Sequence, residues 1–270
     1  MGFDTDIELR QAAPDTFDAD VPAHWRVGRG ATNGGYLAAV ITRALERAVA
    51  DPERHARSLT IHYTAACGPG PVRVTVARER QGRSLTTLSA RMTQGESTVA
   101  LALAAFGQSR PGIDFQHEPM PEAPPPEAVP VWGGIATGGP GFPVNWEYRL
   151  CVGAPPFSRA SEAVSGGWIR LAEPAAVLDA AQIAAMADAW LPPVLLLADR
   201  PQGLVPTIDL TVHFRAALPL PGATAADFSF AVFQARVGAE GYWESDGLIW
   251  SRDGRVLAQA RQLAVFNLRA

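Results

Sequence analysis

The chain has 270 residues, 47% of them hydrophobic and 19% charged, with a formal net charge of −4. That balance supports a sizeable buried core, excludes a disordered chain, and gives no reason to expect a nucleic-acid partner or an anionic membrane surface. All 23 basic residues are arginines, which excludes lysine Schiff-base chemistry and a lysine-bearing phosphate loop.

The opening MGFDTDIELR is acidic and unlike a signal peptide, and no apolar run reaches spanning length. A cytoplasmic protein without a membrane span is therefore expected. The first helix is predicted over Gly34 to Ala50, where Leu37, Ile41, Leu45 and Ala48 recur at helical spacing. Asn33 is a favoured N-cap before it, and Gly34-Gly35 leave the first backbone N–H groups unobstructed. Such a helix start either packs closely on the sheet or binds an anion or developing oxyanion. Alternating patterns predict strands at roughly 57–67, 71–80, 84–94 and 97–107.

From about 108 to 141 neither period is present. Seven prolines precede a glycine run, which reads as an extended linker and not as a nucleotide loop. A second helix is predicted at about 177–191, followed by strands near 206–218, 227–238, 241–251 and 255–267. The two cysteines, Cys67 and Cys151, sit in strand-like stretches far apart and read as small buried residues.

The two halves are copies. Leu59-Thr60-Ile61-His62-Tyr63-Thr64-Ala65-Ala66 matches Leu210-Thr211-Val212-His213-Phe214-Arg215-Ala216-Ala217 without a gap, and Ala100 to Phe106 reads like Ala260 to Phe266. The division expected is 1–107, a linker at 108–141, and 142–270. One long helix followed by four antiparallel strands is the order of the hotdog fold. The fold class expected is thus α+β, a tandem (double) hotdog with two central helices, each wrapped by a curved antiparallel sheet.

Three polar residues of the second half stand out. Gln262 falls among small apolar residues on one face of the last strand, opposite Ala102 in the gapless comparison. It is either bonded to nearby backbone or part of a site, since an unsatisfied buried amide costs about 1–3 kcal/mol. Asp188 is the one charge on the helix face of Ala181, Ala184, Ala185, Leu191 and Leu195. It is either a helix-end aspartate bonded to backbone or arginine, or a desolvated carboxylate suited to general-base work. Thr207 has a hydroxyl able to orient a water. Strand parity sets it on the face away from Leu210 and Val212, and hence away from Asp188, unless a bulge intervenes. His62 and His213 occupy equivalent positions and suit the shared fold or an interface. No His/Asp/Glu cluster has metal spacing, and no cofactor is expected.

With those residues, the chain resembles the acyl-CoA thioesterase II (TesB-like) family of double hotdogs. The resemblance is carried by Ala187-Asp188-Ala189-Trp190-Leu191-Pro192-Pro193, Pro206-Thr207-Ile208-Asp209 and Leu257 to Val265. Asn33-Gly34-Gly35 and the strand around His62 followed by Gly68-Pro69-Gly70 carry it in the first half. It implies hydrolysis of acyl-CoA to free acid and CoA, within fatty-acid and lipid metabolism. Asp188, Thr207 and Gln262 would hold the attacking water, and Asn33, Gly34, Gly35 and His62 would form the oxyanion and substrate-binding residues. Gly35 N–H is the candidate to polarise the carbonyl. A homo-oligomer of such chains is expected. Two rivals stand beside this reading: a non-catalytic acyl-CoA-binding protein, and a hydratase using Asp209 with His213.

Overall fold

Strand alternation and one apolar helical stripe per half give the elements their order. The computed structural model describes residues 2–28, 30–133, 141–200, 203–224 and 226–268. A short helix α1 (Phe3–Asp6) leads to β1 (Arg10–Ala13) and β2 (Thr16–Val21), then the long helix α2 (Gly34–Val49). Strands β3 (His55–Tyr63), β4 (Gly70–Gln81), β5 (Leu85–Gln94) and β6 (Ser97–Gly107) follow. Next come β7 (Trp146–Gly153), β8 (Ala163–Leu171), α3 (Ala180–Met186) and β9 (Gly203–Leu204). The chain closes with β10 (Thr207–Phe214), β11 (Ser229–Ala235), β12 (Gly238–Ala239), β13 (Tyr242–Trp250), β14 (Val256–Val265) and β15 (Asn267–Leu268).

One large antiparallel sheet runs β1-β2-β4-β5-β6-β3-β10-β14-β13-β11-β8-β7, with β12 on β13. The repeated strands β3 and β10 are neighbours at its middle. Thr60 lies opposite Thr211, with hydroxyl oxygens 3.1 Å apart, while Leu59 pairs with Val212 and Ile61 with Leu210. Each copy thus meets the other through the same residues, the register of a local two-fold axis. That register corrects the gapless comparison of the last strands. Leu59 pairs outward with Ala104, and its copy Leu210 pairs with Gln262. Ala104, and not Ala102, is therefore the counterpart of Gln262. A slip of two residues keeps every side chain on its own face, so alternation alone is blind to it.

Helix α2 lies against β2 to β6 and packs on α3. The approach is close at Gly35, where a Cβ would stand 2.4 Å from the carbonyl oxygen of Ala185. Helix α3 is shorter than predicted. Asp179 caps its start by accepting from Gln182 N–H at 2.9 Å, and the chain leaves the helix after Met186, ahead of Pro192-Pro193.

Residues 108–125 form neither helix nor strand, as expected of a linker, but they are fastened to the later strands. Trp168 and Trp250 donate their indole N–H groups to Pro124 O and Glu118 O, and Gln116 bonds Val256 N–H and Gly254 O. Residues 134–140 of the glycine run lie outside the described residues. Cys67 lies in the loop between β3 and β4 and not in a strand; Cys151 is in β7, and both are free thiols.

Candidate active site

The turn just past α3 carries Asp188 to the start of α2. Its Oδ2 accepts from the backbone N–H of Gly35 at 2.9 Å and from Asn33 Nδ2 at 3.1 Å; the same amide also donates to Asp188 O at 3.0 Å. Asn33 simultaneously caps α2 by accepting from Tyr36 N–H. The positive end of a 16-residue helix thus faces a carboxylate. Burial nevertheless dominates: it pushes the Asp188 carboxyl up to about 6, against the lowering effect of the Gly35, Asn33 and Gly34 donors. A carboxylate held there is mostly ionised at neutral pH yet basic enough to accept a proton. Two neighbouring bonds clamp the turn, Tyr148 Oη to Ala189 O at 2.8 Å and Trp190 Nε1 to Ser165 Oγ at 2.9 Å.

The paired glycines are explained by space. A Cβ on Gly34 would stand 3.0 Å from both Asp188 Oδ2 and the Tyr63 ring, and one on Gly35 would enter the Ala185 carbonyl. Gly35 also corrects an expectation. Its N–H is bonded to the Asp188 carboxylate, so it holds that carboxylate and is not a free donor for a carbonyl.

Thr207 and Gln262 form a second pair. The β10–β14 register shifts between Thr207 and Asp209, so Thr207 pairs with Ala264 and shares the face of Gln262 and Leu210. Its hydroxyl lies 3.1 Å from Gln262 Oε1. The expected conflict with strand parity is therefore removed by a bulge. That bulge belongs to the repeat, since β3 shifts register at the matching place, between Ala56 and Ser58. Ser245 stands directly across from Gln262 on β13, with a buried hydroxyl that has no partner among the described residues.

No hydrogen bond between described residues joins Asp188 to the Thr207–Gln262 pair. On β3, His62 lies opposite Asp209, so the next residue, Tyr63, adjoins the start of β10, and its hydroxyl donates to Gly34 O at 2.7 Å. Sequence reading missed Tyr63 and Tyr148, whose place at the site depends on tertiary packing alone.

His62 is not brought to this group. It is exposed, on the sheet face opposite the buried Leu59 and Ile61. Asp209 and His213 share that outer face four residues apart, about 13 Å along a strand, too far for an acid–imidazole pair. The hydratase reading loses its dyad.

The local two-fold allows the opposite end of the helix pair to be compared. Thr207 matches Ala56 and Gln262 matches Ala104, both buried alanines. The N-cap Asn33 matches the N-cap Asp179, which there meets Arg43 at 2.6 Å, with Glu46 on the same guanidinium. An ion cluster and two methyl groups stand where the other end has Asp188, Thr207 and Gln262.

Comparison with known proteins bears on the family and the fold. Residues 21–107 match a model of the acyl-CoA thioesterase N-terminal domain, and residues 116–266 match that of the acyl-CoA thioesterase C-terminal domain. The crystal structure of a conserved protein of unknown function with a hotdog fold from Alicyclobacillus acidocaldarius is 28% identical. It aligns over 99% of this chain and 98% of that one, with a TM-score of 0.87. An acyl-CoA thioesterase II, TesB2, from Mycobacterium marinum shares the fold at 22% identity, over 100% and 99% of the two chains, with a TM-score of 0.79. An uncharacterized protein of Mycobacterium tuberculosis is 27% identical over 273 residues, covering 92% of this chain and 90% of the relative. Both halves of a two-part family model are thus matched in order, and the chain belongs to the acyl-CoA thioesterase family.

Proposed function

We propose that this chain hydrolyses an acyl-CoA thioester to free acid and CoA at one site, with Asp188 as general base. The observation that carries this is a partly buried carboxylate held at the start of α2 with its acidity lowered to a pKa of about 6. Asp188 takes a proton from water as that water attacks the thioester carbon. Thr207 and Gln262 hold the water from the adjoining strands, and the tetrahedral intermediate collapses with CoA thiolate as leaving group. No acyl-enzyme is formed. With Gly35 N–H occupied by Asp188, the α2 dipole and the Gln262 carboxamide are the groups that favour the developing negative charge.

The architecture we infer is a tandem double hotdog, with halves 1–107 and 142–270 joined by 108–141. The local two-fold in the β3–β10 register and the antiparallel sheet continuing on both sides support it. The differences across that axis favour a single working site per chain. Thiol release from short, medium, long and aromatic acyl-CoAs, followed with a thiol-reactive chromogen, tests the reaction. Binding without thiol release across the panel would leave an acyl-CoA-binding protein instead.

A further inference from the structure

We infer that Tyr63 is a positioning residue for Asp188, its hydroxyl fixing the Gly34 peptide and through it the N–H groups that hold the carboxylate. The inference rests on the hydrolase reading and adds a residue to the same site. Tyr63 Oη donates to Gly34 O at 2.7 Å. The Gly34 carbonyl carbon is bonded to the Gly35 nitrogen, whose N–H donates to Asp188 Oδ2 at 2.9 Å. One hydroxyl therefore orients the peptide plane that aims a donor at the base. The ring and the carboxylate also border the same space: a Cβ on Gly34 would stand 3.0 Å from Asp188 Oδ2 and 3.0 Å from Tyr63 Cζ.

The repeat makes the hydroxyl informative. Tyr63 matches Phe214, since each lies three residues beyond the paired Thr60 and Thr211. Phe214 is buried in the core, so the fold at this position is satisfied by a plain ring. Only the copy beside Asp188 has the oxygen. The titratable neighbours whose fields connect with Asp188 are Tyr63 on β3 and Tyr148 on β7; burial, reinforced by the Asp188 charge, keeps both protonated. Tyr148 is fixed independently on Ala189 O.

Tyr63→Phe tests the assignment. It keeps the ring, so the fold is retained, but frees the Gly34 peptide. The expected result is a fall in kcat of about 3–10-fold, the size of one neutral hydrogen bond, with KM within about twofold. The acid limb of kcat/KM should move to higher pH, because a slackened Gly35 donor no longer lowers the Asp188 pKa as strongly. In an Asp188→Asn background Tyr63→Phe should have no further effect on the residual rate. An unchanged kcat and limb, or an equal loss with and without Asp188, would overturn the proposal. A second measurement separates this from the reaction itself: titration of the Asp188 carboxyl carbon by NMR, identified by its absence in Asp188→Asn. If the wild type releases no thiol, the hydrolase reading fails. The Tyr63 assignment then stands only if the titration midpoint moves up in Tyr63→Phe, and an identical midpoint sinks it.

Discussion

Replacing Asp188 by asparagine should abolish most of the activity and yet stabilise the protein at alkaline pH. The carboxyl rises from 3.8 to about 6 on folding, chiefly because it is desolvated. The folded pKa lies above the unfolded one, so the folded state binds the proton more tightly. Stability from this group is complete below about pH 4 and is lost as pH climbs through 6. A shift of about two units corresponds to roughly 3 kcal/mol lost in full above pH 7, about 1.5 kcal/mol at pH 5 and a few tenths near pH 4. Asparagine keeps an oxygen to accept from Gly35 and Asn33 and never ionises. Urea unfolding of the wild type and Asp188→Asn at pH 8, 5 and 4 should therefore show the variant ahead by up to about 3 kcal/mol at pH 8. That advantage should shrink toward zero at pH 4. The thiol-release rate should fall by about 10²–10⁴-fold, the usual contribution of a general base. A variant less stable than wild type at pH 8, or an advantage that does not depend on pH, would refute the idea that this carboxylate is held at a cost.

Three further outcomes are expected. The wild-type kcat/KM for thiol release should fall about tenfold per pH unit below about 6, where Asp188 gains its proton, and a flat profile to pH 5 would remove it as the base. Gln262→Ala places at this site the residue found at Ala104 across the two-fold. It should lower kcat by about 10–100-fold with little loss of stability, as the smaller share of a polar site that also contains a base; a kcat near wild type would return Gln262 to a structural role. Gly35→Ala drives a methyl to 2.4 Å from Ala185 O, so denaturant unfolding should show a loss of about 1–3 kcal/mol. Because the two helices must part there, thiol release should fall as well, and a variant with normal stability would contradict the close approach.

Much of the fold was legible because its determinants are local. The spacing of Leu37, Ile41, Leu45 and Ala48 marks α2, and the strand boundaries from β4 to β6 follow the alternation closely. Two matching eight-residue segments could be read from the sequence, Asp188 and Gln262 were conspicuous as exceptions to apolar patterns, and Thr207 was marked only by its hydroxyl at the start of the repeated strand. What sequence misjudged were register and direction. The gapless comparison set Gln262 against Ala102, because a two-residue slip leaves the alternation unchanged; pairing of Leu59 and Leu210 with their neighbours makes it Ala104. Parity turned Thr207 outward, because a bulge is a property of two paired strands and not of one. His62 drew attention by its type, yet its strand exposes it on the outer face.

The amino-acid order by itself thus marked α2, the strands β3 to β6 and most of β10 to β14, the two matching eight-residue segments, and the polar residues Asp188 and Gln262 set among apolar ones. Those are consequences of periodicity and composition, which act over a few residues. Only the tertiary structure decided that Asp188, from the end of one helix, is gripped by Asn33 and Gly35 at the start of the other. It alone placed Tyr63 beneath that peptide and aligned the two repeated strands about Thr60 and Thr211. These contacts join residues more than a hundred positions apart, or groups such as a backbone N–H that every residue possesses. Their meaning comes from where the burial of the helices and the pairing of the sheet bring them.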